Sequence, residues 1–95
     1  MKVNNINGTS QNPCRCGSWL DHWENFSGQP VPTNCPGFCC YRRDLLGVHV
    51  KKAESDDDNW YIVPLCAEHN RATGTLTVTD GCRLVSANVR KTCGK

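Results

Sequence analysis

Long apolar runs are missing from this 95-residue chain. None approaches the roughly 18 apolar residues of a membrane-spanning helix, so no membrane is expected as a partner. The opening MKVNNINGTS is polar and holds no apolar segment of signal-peptide length. Aromatic residues are scarce, at 7%. The formal net charge of +2 is too small to argue alone for a nucleic-acid partner. No C-x-x-C sits in a thioredoxin-like context, which leaves a redox role little support. Internal repeats and low-complexity segments are absent as well. So short a chain buries a limited core and is often stapled by metal or disulfides.

Cysteine is what the chain has in plenty, with eight residues. The polar start points to a cytoplasmic setting, where thiols stay reduced and clustered cysteines more often hold metal. Zinc is therefore expected in preference to a disulfide framework. Charge is unevenly placed. Arg42, Arg43, Lys51 and Lys52 flank one segment, and Glu54, Asp56, Asp57 and Asp58 crowd a loop that reads as a solvated turn.

One domain is expected over residues 1–95, of small α+β class, with residues 1–13 as a flexible lead-in. Ser18 to Ser27 reads as a helix: Ser18 and Asp21 have capping-box spacing, Trp19, Trp23 and Phe26 share a face, and Gly28 can end it. QPVPTNCPG is a proline-rich connector. Residues 45–51 alternate as a strand, with Leu46, Val48 and Val50 on one side and Gly47, His49 and Lys51 on the other. A second strand returns over 60–63 and should stop at Pro64. A short helix over 66–72 closed by Gly74, a strand at 75–78, an Asp80-Gly81 turn and a last helix over 84–93 complete the reading.

WYIVPLCAEHN puts Cys66 and His69 three residues apart at a helix opening, so both side chains leave one face. Zinc takes four tetrahedral N or S ligands, usually as two close pairs. The second pair lies in CPGFCC, as Cys35 with either Cys39 or Cys40. Its Pro-Gly turn lets backbone amides approach thiolate sulfur. A knuckle pair, a β-hairpin and a helix pair make a treble-clef arrangement over residues 35–72. Cys14, Cys16, Cys82 and Cys93 remain, with His22. Cys14 and Cys16 near His22 could begin a second metal site with Cys93 or Cys82, or the thiols could clamp the chain ends to the core.

The segment from Cys35 to Asn70, about 40% of the chain, resembles the zinc-knuckle form of the HNH superfamily, the ββα-metal or His-Me finger fold. LLGVHV and WYIVPLCAEHN carry the resemblance most specifically. It implies an HNH-like ββα unit with an N-terminal helix and a C-terminal extension. It also implies a structural zinc, with His49 as general base, Asn59 as its orienter and Asn70 as a ligand for Mg²⁺ or Mn²⁺ in an endonuclease acting on DNA. Val48 stands where nucleases of the family usually have an Asp or His before the base. The resemblance therefore implies weak or absent cleavage. The alternative is a non-catalytic structural or protein-interaction finger.

Overall fold

β-Branched residues at alternate positions make the central hairpin the frame of the fold. The computed structural model describes residues 1–6, 16–37 and 40–92. Along these the chain forms β1 (Lys2–Asn5), α1 (Trp19–Ser27), β2 (Leu45–Lys52), β3 (Tyr61–Cys66), α2 (Ala67–Asn70), β4 (Thr75–Thr77) and β5 (Val85–Ser86). A 3-10 turn follows at Val89–Lys91. The strands make one antiparallel sheet in the order β4-β1-β2-β3-β5. No described helix is long and apolar enough to cross a membrane.

Register assigns the faces. Gly47 lies opposite Pro64 and His49 opposite Ile62, on one face. Val48 lies opposite Val63 and Leu46 opposite Leu65, on the other. α1 covers the first face: a Cβ built on Gly47 would stand 2.2 Å from the Trp19 carbonyl carbon. The second face contributes Val3, Val48, Val50, Val63 and Leu65 to the core, all essentially without solvent exposure. Ser18 caps α1, its Oγ accepting from the Asp21 amide at 3.1 Å, and Gly28 ends it at φ 73°. Trp19, His22 and Trp23 form its buried stripe, and Trp23 Nε1 donates to the Arg83 carbonyl at 2.8 Å. Phe26, expected on that stripe, is instead 43% exposed, and His22 takes the interior place.

Three expectations are corrected. Lys2–Asn5 belong to the sheet rather than to a flexible lead-in: Val3 pairs with both Lys52 and Leu76 and is fully buried. One apolar residue among polar ones carries no periodic signal, so only the neighbouring strands reveal it. β3 does not stop at Pro64 but runs to Cys66. β5 flanks β3 only at Tyr61 and Ile62, so Pro64 sits where β3 is an edge, the position that tolerates proline. Over 84–92 the expected helix gives way to β5 and the 3-10 turn. Val85 opposite Ile62, with the Ala87 amide donating to the Trp60 carbonyl at 2.9 Å, uses this stretch to extend the sheet. Cys93 lies outside the described residues, as do Cys14, Cys39 and the rest of the lead-in beyond Ile6.

Candidate metal centre

Four side chains from two short segments converge at the end of the hairpin. Cys66 is the last residue of β3 and the N-cap of α2, its sulfur accepting from the His69 amide at 3.4 Å. That cap turns His69 back toward the sulfur, with Nδ1 3.2 Å from Cys66 Sγ. Cys35 comes from the connector, 3.3 Å from the same Nδ1, and accepts from the Cys66 amide at 3.3 Å. Cys40 completes the group, with its sulfur 3.8 Å from Cys66 Sγ.

All four donor atoms lie within 4.8 Å of one another. A tetrahedral site with bonds of about 2.3 Å to sulfur and 2.0 Å to nitrogen has S–S edges near 3.8 Å and S–N edges near 3.5 Å. The observed separations suit those edges, so this Cys3His group can hold a metal ion. Sequence left Cys39 and Cys40 open; Cys40 is the one found in the group, and Cys39 lies outside the described residues. Cys35 and Cys66 are buried, Cys40 and His69 half-buried. Burial pushes the Cys35 thiol up to about 11, whereas the Arg42 backbone amide holds Cys40 below its ordinary value. A cation between the sulfurs favours the charged form at both.

The knuckle is tied to its surroundings at several points. The Cys35 amide donates to the Arg42 carbonyl at 2.7 Å, and the Cys40 amide to the Gly37 carbonyl at 3.1 Å. Gly37 bridges to Val78, and the Thr79 amide donates to the Pro36 carbonyl at 2.9 Å. Arg42 forks onto Asp44 at 2.9 and 2.7 Å and reaches Glu68 of α2 at 3.2 Å. The guanidinium lowers the Asp44 carboxyl to about 2.

Two supporting residues were not found by sequence reasoning about ligands. Asn5 Nδ2 sits among the His69, Asn70 and Ala72 carbonyls at 3.0, 2.6 and 3.2 Å and so fixes the end of α2. Nothing in the local sequence signals that, because β1 itself was not legible. Gly37 leaves room for the ligand ring: an added Cβ would stand 2.7 Å from His69 Cε1. The Pro-Gly dipeptide was visible, but the ring that needs the space lies 32 residues on, at position 69. Gly37→Ala is accordingly expected to weaken metal affinity about tenfold, the lower end for mutations that displace a ligand's support. Competition titration against a chromogenic chelator measures this, and unchanged affinity would show that His69 does not depend on the gap.

The residues assigned to catalysis by resemblance sit on separate elements. His49 faces α1, 3% exposed, its ring 4.5 Å from Trp19 and 6.1 Å from Trp60. Burial lowers it to about 4, with a further contribution from His22, so the ring is neutral at pH 7. Asn59 is exposed beyond the acidic loop, its amide donating to Asp57 Oδ1 at 2.9 Å. Asp57 is not a free carboxylate, since it also accepts from Tyr61 Oη and pairs with Lys52 at 3.5 Å. Asn70 ends α2, where its carbonyl accepts from Asn5. Register places Asn5 beside Val50, on the face away from His49. Lys51 shares His49's face by register, but α1 occupies the approach that a phosphate would need at His49.

Comparison of the chain with protein-family models, with curated proteins and with solved structures finds no match.

Proposed function

We propose that this chain is a zinc-stabilised treble-clef module of HNH-like design that serves as a structural or protein-interaction finger. The observation that carries the reading is the convergence of Cys35, Cys40, Cys66 and His69 at the end of the hairpin. Three thiolates and an imidazole suit zinc, and four protein donors leave no open position for a reacting water. The metal joins the knuckle to β3 and α2, so its work is to hold together segments with little core of their own.

The burial of His49 supports the non-catalytic form of this reading. A general base must reach the water it deprotonates, and its basicity should lie near the working pH. His49 is 3% exposed and held at about 4 by burial. No carboxylate or imidazole precedes it, because Val48 occupies that place with 1% exposure. Purified protein should therefore leave supercoiled plasmid intact with magnesium or manganese, and His49→Ala should be equally inactive. Magnesium-dependent nicking that disappears in His49→Ala, with zinc content unchanged, would establish a nuclease instead.

A further inference from the structure

A second thiol and imidazole meet away from the Cys3His centre. Cys16 stands just before the capped start of α1, and His22 lies in its buried stripe. Cys16 Sγ is 3.7 Å from His22 Nδ1. The other ring nitrogen, Nε2, is 3.0 Å from the Ser86 carbonyl. A carbonyl only accepts, so Nε2 donates to it, and Nδ1 is the nitrogen that faces the sulfur. The ring is fully buried, with Trp19 at 4.9 Å and Phe26 at 5.1 Å holding its plane.

This is how a metal-ligating histidine is ordinarily oriented: one nitrogen fixed by a carbonyl, the other facing the second ligand. The 3.7 Å separation also suits a tetrahedral S–N edge of about 3.5 Å. In the Cys3His centre the same edges are 3.3 and 3.2 Å. A thiol hydrogen bond is the other use of such a pair, but it is weak and gives no reason to bury and orient an imidazole so fully.

We propose that Cys16 and His22 are two ligands of a second zinc ion, separate from the Cys3His centre and independent of the functional reading above. It would fasten the start of α1 to β5, which meets His22 through Ser86. The two residues supply half of a tetrahedral set.

Native mass spectrometry of the full chain, expressed with zinc and purified without chelator, reads the stoichiometry directly. Two zinc ions per chain are expected, falling to one in Cys16→Ser and in His22→Gln while the Cys3His ion stays. One zinc in the parent, or two retained in Cys16→Ser, would overturn the proposal. Should both variants fail to fold, cadmium NMR of the folded, cadmium-loaded parent decides. Two cadmium resonances are expected, one of them coupled to the Cys16 β-protons and the His22 ring. A single resonance, or none coupled to Cys16, would overturn the proposal.

Discussion

Cys66→Ser is expected to leave the chain without a stable fold, and chelation of the parent should do the same. Cys66 is fully buried at the junction of β3 and α2. Its sulfur lies 3.2 Å from His69 Nδ1 and 3.8 Å from Cys40 Sγ, and it accepts the amide that starts α2. A serine hydroxyl could keep the cap but is a poor ligand beside soft thiolates. Structural zinc in small fingers is worth about 10–16 kcal/mol of apparent binding free energy. A domain of this size has only about 5–15 kcal/mol of total stability, so losing the ion is enough to unfold it. Circular dichroism should show no cooperative melt for Cys66→Ser, and zinc analysis should show loss of the Cys3His ion. Cys82→Ser is the control. Cys82 is 8% exposed, yet no metal group among the described residues includes it. Its replacement should cost about 1–3 kcal/mol, for a buried hydroxyl in place of a thiol. Equal melting of Cys66→Ser and the parent would remove the metal assignment.

Ligand chemistry was the most legible part of this sequence. Cys66 and His69 needed only the local rule that residues three apart on a helix share a face. Cys35 needed only its nearness to two further thiols. The choice of Cys40 was not legible, because it depends on how the 35–42 knuckle closes onto Arg42 and Val78. β1 was hidden for a similar reason. KVNN has no pattern of its own and becomes a strand because β2 and β4 offer it two edges. Pro64 and the 84–92 stretch misled in opposite directions. Proline ends a central strand but not one that is locally an edge, and an apolar spacing that suits a helix yielded to the free edge of β3. Each miss traces to a tertiary partner distant in sequence, whereas the ligand pairs are local.

The same contrast applies to His49, and Gly47 is the residue through which to test it. Strand alternation put His49 opposite Val48 and Val50, and that pairing holds. What alternation could not say is that α1 lies on the His49 face, packed directly on Gly47. A Cβ at position 47 would meet the Trp19 carbonyl carbon at 2.2 Å, the Leu20 nitrogen at 2.4 Å and Trp19 Cβ at 2.6 Å. Backbone at that distance cannot move aside as a side-chain tip can, so Gly47→Ala must lift α1 from the sheet. Overpacking in a well-filled core costs about 1–3 kcal/mol and sometimes more, and the backbone contact places this case at about 3 kcal/mol or above. For a domain of this size that is a drop in Tm of more than about 10 °C. Gly81→Ala is the matched control, since an added Cβ there meets nothing within 4 Å, and its effect should stay within about 0.5 kcal/mol. The lifted helix should also expose Trp19 and His49, read as a red shift of tryptophan emission and a His49 pKa rising from about 4 toward its ordinary value. Metal binding at the Cys3His centre should persist, because its donors come from the knuckle and the β3–α2 junction rather than from α1. Equal melting of Gly47→Ala and Gly81→Ala would mean that α1 does not seal this face and that His49 is open to a phosphate.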